Sequence, residues 1–387
     1  MNTMQALDLL PIVTQIVGQP EGDSLAWQLE PLQLQGGSVV GIVSLARIAG
    51  TAQVAGQTQP WSVVVKSISE PPPAADGANT THDPAAWNYW RREVAAYQSG
   101  ILAELTGNLV APRCYAVTEH PNGEWRIWLE DITESPQQWT MARHNSAARH
   151  LGQFNGMYLT GHPLPPVQPW IYRGRSRDWI QTAPALLEPF RRYVATVQGR
   201  QGLTEQNVAR IERLLAQAPR LLAQLARLPL CLCHHDAHRR NLMARDSSAN
   251  ELQTVAIDWS YLGYGEVGAE IGITTAVSLS WMAVDAARAR EFDQAVFDGY
   301  IAGLRDVGWQ GDPRLARFGY TATAALVTGV AGTIAFGALV WSNEESTRAL
   351  EQAIGHSREA IFAQQALYLP FLLDLGDEAL QLMEQLP

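Results

Sequence analysis

The chain has 387 residues, which is enough to bury a large core and to form two domains. Hydrophobic residues make up 47% and charged residues 17%, a balance typical of globular proteins that excludes intrinsic disorder. The formal net charge of −10 argues against a nucleic-acid-binding protein.

Strands dominate the first third of the chain. A short helix interrupted at Pro11 is predicted for residues 3–17, and the strands that follow it include a third one that ends near Lys66. A helix is predicted at about 84–101. Two further strands, RCYAVTE and EWRIWLE, are separated by Asn122–Gly123, a strong hairpin signal.

Helices dominate the remainder of the chain. A Pro-rich excursion leads into PWIYRGRSRDW, which is predicted to be an irregular insertion, and a long amphipathic helix covers about 205–227. Residues 229–260 alternate apolar strands with polar loops. The run 321–342 has no charged residue, but its Thr and Gly content and the absence of a Lys/Arg cluster favour a buried helix over a membrane span.

Three cysteines, an odd number, give no disulfide framework. Cys231 and Cys233 lie two positions apart on a predicted strand, so they share one face and are interpreted as buried small residues. The N-terminus has no signal-peptide pattern, and a reducing cytoplasm is expected.

Lys66 is the only lysine, because 27 of the 28 basic residues are arginine. Lys and Arg differ in shape, hydration and reach, so this position is a candidate for a function that a guanidinium cannot supply. Two alternatives remain open at this point: chance, and an edge-strand lysine that serves solubility.

A cluster of oxygen ligands is predicted around residues 234–258. Asp236 and Asn241 lie five positions apart in a loop between two strands, and Asp258 follows the apolar run TVAI at the end of the next strand. A carboxylate can orient a substrate hydroxyl and accept its proton, while the other two residues suit Mg²⁺ bound to phosphates. Phosphoryl transfer requires this combination.

These residues carry a family resemblance. His234, Asp236, His238 and Asn241 match H-x-D-x-H-x-x-N, and with the strand-end Asp258 they resemble the catalytic core of the aminoglycoside phosphotransferase family of protein-kinase-like enzymes. The resemblance implies Asp236 as the catalytic residue and Asn241 and Asp258 as Mg²⁺ ligands. His234 is interpreted as a structural hydrogen-bonding residue, and the role of His238 is left open.

The resemblance extends to IDWSYLGYGEVGAEIG at residues 257–272. This segment departs from the family pattern at Glu266, where the family has Asp, at Val267 in place of Pro, and at Glu270 in place of the second Asp. The family uses these acids to brace the catalytic segment, so the departures concern local structure more than chemistry.

The resemblance also covers the N-terminal part, over about residues 30–272 in all. It implies a loop that covers the nucleotide, a phosphate-binding lysine with a glutamate partner on the following helix, and a hinge that binds the base of ATP or GTP. The corresponding residues are, in chain order, Gly36, Gly37, Ser38, Lys66, Glu93, Glu130, Asp131 and Ile132.

The fold implied by the resemblance is α+β and bilobal, with a small antiparallel β-rich N-terminal lobe and a large, mostly helical C-terminal lobe. The boundaries are residues 1–128 for the nucleotide-binding lobe, 129–133 for the hinge and 134–387 for the helical lobe. The implied activity is transfer of the γ-phosphoryl group of ATP or GTP to a hydroxyl group, with Mg²⁺ as the metal.

A small molecule is the expected acceptor, because residue 235 is His and Trp259–Ser260 follow Asp258, unlike in protein kinases. An aminoglycoside, another antibiotic, an amino sugar, a choline-like alcohol or a cellular metabolite fits equally, so a role in antibiotic resistance or in metabolism stays open. No partner membrane or nucleic acid is expected, and the oligomeric state stays open. Weak acceptor-site candidates are Trp281, Asp285, Asp293 and Tyr300.

Other functions compete with this interpretation. The HHDAH cluster predicts, as an alternative, a metal-dependent hydrolase with Zn²⁺ or Mn²⁺. A nucleotide-binding scaffold without transfer activity is a third reading, which no residue supports. Glu93 has an alternative as a surface charge paired with Arg91 or Arg92, and Gly36–Gly37 as a plain hairpin turn.

Overall fold

A five-stranded antiparallel sheet with a helix on each face forms most of the N-terminal part. The computed structural model describes residues 6–21, 25–32, 41–71, 82–135, 139–246 and 252–386. The strand order is β1-β2-β3-β6-β5. The elements are α1 (Ala6–Val17), β1 (Ala26–Pro31), β2 (Ile42–Val54), β3 (Gln57–Ile68), α2 (Arg92–Ser99), β4 (Leu109–Val110), β5 (Cys114–Glu119) and β6 (Trp125–Glu130).

Strand β3 runs through the middle of this sheet and is covered on both faces. Val65 is buried in a cluster that includes Leu9 of α1. Successive side chains of a strand alternate between faces, so Lys66 lies on the opposite face. There its neighbour Ile68 is buried together with Val94 of α2. The alternation of β3 therefore directs the single lysine toward α2.

Two tight hairpins are present in this part, one of them predicted from sequence. Ala55 and Gly56 join β2 to β3 with φ of 51° and 74°, a left-handed pair that suits a two-residue hairpin turn. Between β5 and β6, Gly123 has φ of 79°, and the two strands pair antiparallel. The hairpin prediction at Asn122–Gly123 is therefore confirmed.

The C-terminal part is mostly helical and contains two small sheets, ordered β4-β10-β9 and β7-β11-β8. Its elements are α3 (Met141–Met157), β7 (Tyr172–Arg173), α4 (Arg175–Val194), α5 (Val197–Gly202), α6 (Glu205–Leu225), β8 (Leu230–Cys233), β9 (Leu242–Asp246), β10 (Leu252–Ala256), β11 (Gly263–Glu266), α7 (Ala269–Ser280), α8 (Ala289–Asp306), α9 (Pro313–Thr323), α10 (Thr333–Ala335), α11 (Glu344–Ile354) and α12 (Arg358–Gln385). The predicted α+β class is thus confirmed.

The register of β9 and β10 brings two loops together. The strands pair antiparallel, with Leu242 opposite Ala256. The residue before β9 therefore lies beside the residue after β10. This pairing places the loop between β8 and β9 next to the segment that follows β10.

The long apolar segment near residue 321 is part of the core. Pro313–Val340 is the one helix among the described residues that is long and apolar enough to cross a membrane, and 72% of its most apolar window is buried inside the protein. Ala324–Gly332 and Phe336–Val340 are π-helical within it. This extent of burial agrees with the prediction of a buried helix.

Two predicted helices differ in the structure. The helix predicted at about 84–101 is regular only in α2, because the carbonyl groups of residues 84, 86 and 87 accept hydrogen bonds from the Arg92 side chain instead of continuing a helix. Helix α1 continues through Pro11 rather than being interrupted there. The loss of one backbone donor is tolerated in α1, where Leu9, Ile12 and Val13 are buried against the sheet.

Candidate active site

Lys66 connects the two parts of the molecule through two carboxylates. Its Nζ lies 2.5 Å from Oε2 of Glu93 and 3.1 Å from Oδ1 of Asp258. Lys66 and Glu93 are only 6% and 2% exposed, so neither is a surface charge. Glu93 also accepts a hydrogen bond from the backbone N–H of Trp259 at 3.3 Å. Neither an edge-strand lysine nor a Glu93 paired with its neighbouring arginines fits this geometry.

The three charges of this cluster stabilise one another. Burial alone lowers the pKa of Lys66, but the negative charges of Asp258 and Glu93 outweigh burial and raise it above its usual value. Burial raises the pKa of Glu93, and the positive charge of Lys66 opposes that shift only in part. Burial also acts to raise the pKa of Asp258, but the charge of Lys66 and its hydrogen bond lower it overall. Asp258 is therefore an ionised carboxylate at neutral pH.

Asp236 and Asn241 form the second half of the site. Nδ2 of Asn241 donates to Oδ2 of Asp236 at 2.8 Å and to the Asp236 carbonyl at 3.0 Å. The Asn241 carbonyl accepts from the backbone N–H of Ile257 at 2.9 Å, as the register of β9 and β10 requires. This chain of bonds joins the Asp236 loop to the residue that precedes Asp258.

His234 holds the same two segments together from beneath. Its Nε2 donates to the Ile257 carbonyl at 2.9 Å, and its Nδ1 accepts from the backbone N–H of Asp236 at 3.2 Å. The side chain is fully buried, and burial lowers its pKa, so it is neutral at pH 7. This is the geometry of a structural hydrogen-bonding histidine.

The backbone of the site is strained at two non-glycine residues. His235 has φ of 63° and Asp258 has φ of 62°, a left-handed conformation that side chains of this size rarely adopt. Glu270 of α7 supports the first of these residues: its carboxylate accepts from the backbone N–H groups of His234 at 2.5 Å and of His235 at 3.0 Å. Burial raises the pKa of Glu270 to about 7. Glu270 thus braces the loop although it is not the aspartate of the family pattern.

The histidines of HHDAH do not converge on a metal site. His234 and His235 are directed into the core, where Nε2 of His235 donates to the Tyr264 carbonyl at 3.1 Å. Nδ1 of His238 accepts from the backbone N–H of Arg240. Within the ranges that the structure covers, no group of three or more His, Cys, Asp or Glu side chains can hold a metal ion. The hydrolase alternative is therefore not supported.

The segment predicted as a hinge carries two ion pairs. Glu130, the last residue of β6, pairs with Arg245 of β9 at 2.8 Å, and Asp131 pairs with Arg47 of β2 at 2.9 Å. Glu130 therefore links the N-terminal sheet to the helical part. Ile132 is half-buried beside them. Gly36, Gly37 and Ser38 lie outside the described residues.

The four acceptor-site candidates have different environments. Trp281 is half-buried and lies under the Arg240 guanidinium at 4.9 Å, and Asp285 is exposed and caps a short 3₁₀ turn through the N–H of Ala287. The other two are held inside the structure. Asp293 forms a 2.5 Å ion pair with Arg317, and Tyr300 is fully buried with its hydroxyl bonded to Asn155 at 2.8 Å.

The Tyr300 side chain is therefore not accessible to a substrate in this structure, contrary to the expectation from sequence. Its hydroxyl also accepts from the backbone N–H of Gly268, directly before α7, so it supports the fold. A buried tyrosine whose hydroxyl finds polar partners is common in protein cores, and no sequence pattern distinguishes it from a tyrosine that binds a substrate.

Arg240 contacts the site and was missed from sequence. It lies inside the H-x-D-x-H-x-x-N segment, and its Nη1 donates to the Ala353 carbonyl at 2.9 Å near the C-terminal end of α11. It thereby fixes the loop between β8 and β9 to the end of α11. No signal could have found it, because 27 of 28 basic residues are arginine and one more carries no information.

The fold and this constellation define a protein-kinase-like phosphotransferase, and comparisons with known proteins agree. The family model of the phosphotransferase enzyme family (APH) matches residues 82–316. The chain therefore belongs to the aminoglycoside phosphotransferase family. It is a small-molecule kinase with an alcohol group as acceptor. No curated protein sequence was found to match the chain.

Solved structures of similar fold include both antibiotic and metabolic kinases. A spectinomycin phosphotransferase in complex with ADP and spectinomycin shares 12% identity over 100% of both chains, with a TM-score of 0.47. An ethanolamine kinase from Plasmodium vivax shares 12% identity over 93% of this chain and 88% of its own, with a TM-score of 0.49. An aminoglycoside phosphotransferase from Streptomyces rimosus shares 16% identity over 84% and 99%, with a TM-score of 0.41.

Proposed function

We propose that this protein transfers the γ-phosphoryl group of ATP or GTP to a hydroxyl group of a small molecule, with Asp236 as the catalytic residue. The observation that carries the proposal is the bridge formed by Lys66 between Glu93 and Asp258, beside the Asp236–Asn241 pair. In-line phosphoryl transfer needs a positioned acceptor and neutralised phosphate charge, and these five side chains supply both.

Asp236 orients the acceptor hydroxyl and takes its proton. It is partly exposed, whereas the histidine beneath it is fully buried, so its carboxylate is the accessible group of the loop. The hydrogen bond from Asn241 to Oδ2 restricts the carboxylate to one orientation and leaves Oδ1 for the hydroxyl. A positioned base of this kind contributes about 10²–10⁴-fold to the rate.

The nucleotide lies between the lobes, which we assign as residues 1–128 and 134–387 joined by the hinge 129–133. Lys66 contacts the phosphates and is held by Glu93, and main-chain groups of Glu130, Asp131 and Ile132 bind the base. The proposed covering loop contains Gly36, Gly37 and Ser38. The hinge assignment is supported by Glu130, which belongs to the N-terminal sheet yet pairs with Arg245 of the other lobe.

Asn241 and Asp258 have the donor set for a divalent cation, which we propose is Mg²⁺. Nδ2 of Asn241 is used in bonds to Asp236, so its Oδ1 is the atom left for a cation. Only Oδ1 of Asp258 pairs with Lys66, and its lowered pKa keeps the carboxylate charged. Hard oxygen ligands of this kind suit Mg²⁺. When bound, the ion neutralises phosphate charge and orients the transferred group.

The acceptor is a hydroxylated small molecule bound by the helical lobe, and aminoglycosides, other antibiotics, amino sugars and choline-like metabolites remain its candidate classes. Of the four candidates, Asp285 is exposed, Trp281 is half-buried, and Asp293 is half-buried but paired with Arg317. The unpaired thiols of Cys231 and Cys233, with sulfur atoms 3.7 Å apart, are consistent with a reducing cytoplasm.

The test is a nucleotide-consumption screen over a panel of hydroxylated antibiotics and metabolites, run in parallel with ATP and GTP and with and without Mg²⁺. We expect turnover that depends on one class of acceptor and on the cation. Turnover of nucleotide that is the same with every acceptor and without any acceptor would contradict the proposal.

A further inference from the structure

Arg92 is a fully buried guanidinium directly before Glu93 on α2. Among the residues that the structure describes, no carboxylate forms an ion pair with it. Burial lowers its pKa to about 10, and it is still charged at pH 7. Burying an unpaired cation is costly, so an arginine kept in this position needs compensation from hydrogen bonds.

All of its hydrogen bonds go to backbone carbonyl groups, and the Tyr172 ring lies 5.3 Å from the guanidinium. Nε donates to Trp170 at 2.8 Å, and Nη1 donates to Trp87 at 2.9 Å and to Ser260 at 3.0 Å. Nη2 donates to Ala86 and, at 3.4 Å, to Pro84. A guanidinium has five N–H donors, and here five carbonyl oxygens accept from it.

These carbonyl groups belong to three separate segments. Residues 84–87 precede α2, Trp170 belongs to the insertion before β7, and Ser260 lies two residues after Asp258. The Arg92 side chain therefore fastens α2 to the C-terminal part at two points. Lys66 is held by two carboxylates, Glu93 next to Arg92 and Asp258 near Ser260. The Arg92 side chain therefore fixes the distance between these two carboxylates without the participation of Lys66.

In protein kinases the helix that carries the equivalent glutamate is moved to control activity. Here the helix is tied to the segment that follows Asp258 by charged hydrogen bonds, which are stronger than neutral ones. We propose that Arg92 is a positioning residue that holds Glu93 and Asp258 in register, so that the Lys66–Glu93 pair is permanently formed. This inference rests on the proposed function of that pair.

The test compares Arg92→Met, Glu93→Gln and the double variant in steady-state kinetics. Met retains the apolar stem and removes the buried charge, but it leaves five carbonyl groups without their donor, so a thermal melt accompanies the kinetics. We expect each single variant to lower kcat about 10²-fold, because an error of about 1 Å in such a site has that effect. We expect the double variant to be no more than about threefold worse than Glu93→Gln alone, since Arg92 acts through Glu93.

A purely structural role would instead give losses that multiply in the double variant. Multiplicative losses, or a kcat of Arg92→Met close to that of the wild type, would overturn the proposal. Arg91→Met is the matched control: Arg91 directly precedes α2 and lies over the Trp125 ring at 3.9 Å, and we expect the kcat of this variant to be unchanged.

Arg92→Lys is a second, more conservative variant for the case in which Arg92→Met does not fold. It keeps the charge but has three donors instead of five, and we expect a folded protein with a kcat between those of the wild type and Arg92→Met. If both Arg92 variants are unfolded in thermal melts, Arg92 is a folding residue and the positioning role is rejected. The separate measurement of Glu93→Gln distinguishes a folding role of Arg92 from failure of the proposed function. If the proposed function of the Lys66–Glu93 pair is wrong, Glu93→Gln keeps the kcat of the wild type.

Discussion

The ammonium of Lys66 lies 3.1 Å from Oδ1 of Asp258, although 192 positions separate the two residues in sequence. Together with Glu93, this pair joins the N-terminal sheet to the segment that follows β10. Disturbing any member of the three should therefore lower the rate of catalysis.

Lys66→Arg should be nearly as damaging to kcat/KM as Lys66→Ala. An ammonium is a compact charge that fits between the carboxylates of Glu93 and Asp258, whereas a guanidinium is longer and planar and would displace one of them. We expect a loss of about 10²-fold from such a misplacement. Steady-state kinetics and thermal melts of both variants measure this, with a folded Arg variant expected. If Lys66→Arg retains most of the kcat/KM, the presence of a single lysine at this position has no functional meaning, and the assignment of Lys66 to the phosphates is contradicted.

Asp236→Asn should lower phosphoryl transfer by about 10²–10⁴-fold while nucleotide binding survives, because the proposed function places Asp236 against the acceptor and Lys66 against the nucleotide. Kinetics and calorimetric titration with nucleotide separate the two effects. Asp246→Asn is a matched control on β9, where the residue accepts from Ser135 at 2.8 Å and its amide oxygen can still do so. Near-wild-type turnover in Asp236→Asn would remove Asp236 from the mechanism.

Asn241→Ala and Asp258→Ala should each raise the Mg²⁺ concentration needed for half-maximal rate as well as lower kcat, because each removes an oxygen ligand. A Mg²⁺ titration of the rate at saturating nucleotide measures the shift. Activity that persists in the presence of a chelator, or stoichiometric Zn²⁺ bound to the purified protein, would argue against this assignment.

His150→Gln should reduce the acid sensitivity of folding. Burial, with the charges of Arg149 and Arg143, lowers the pKa of His150 to about 4, and its Nδ1 lies 2.8 Å from Oγ1 of Thr254. Because the folded pKa is below the unfolded value of about 6.5, the stability contribution is complete above pH 6.5 and is lost as pH falls toward 4.

The expected loss is about 1.4 kcal/mol per pH unit within that window. Denaturant titrations at pH 7.5 and pH 5 should therefore show a larger fall in the free energy of unfolding for the wild type than for His150→Gln. Equal falls in the two proteins would mean that His150 does not titrate in this way. His162→Gln, at a residue outside this buried cluster, is the control.

The sequence indicated the residues of the site but not all of their supports. Asp236, Asn241 and Asp258 were predicted because their spacing follows from local geometry: a loop, a hairpin of two strands and a strand end. Lys66 was found through composition. The placement of Glu93 against Lys66 depended on the family resemblance, since residues 66 and 93 belong to different elements whose packing no local pattern encodes.

The role of Arg92 in connecting three backbone segments could not have been predicted from sequence. Its partners are backbone carbonyl groups, which every residue possesses, so no side-chain pattern marks them. For the same reason the helix predicted at 84–101 was wrong over its first half. Tyr300 was expected at the acceptor site, but its hydroxyl bonds to Asn155 in the core. An amphipathic helix pattern does not show whether a tyrosine hydroxyl faces the core or a binding site.

The central claim is the transfer of a phosphoryl group to a hydroxyl under the control of Asp236. The most direct measurement is ³¹P nuclear magnetic resonance of a reaction that contains the wild-type protein, ATP, Mg²⁺ and the acceptor that supports turnover. We expect a new phosphate monoester signal that grows as the γ-phosphate signal disappears, and that is absent with Asp236→Ala. Inorganic phosphate as the only product, formed equally fast by Asp236→Ala, would contradict it.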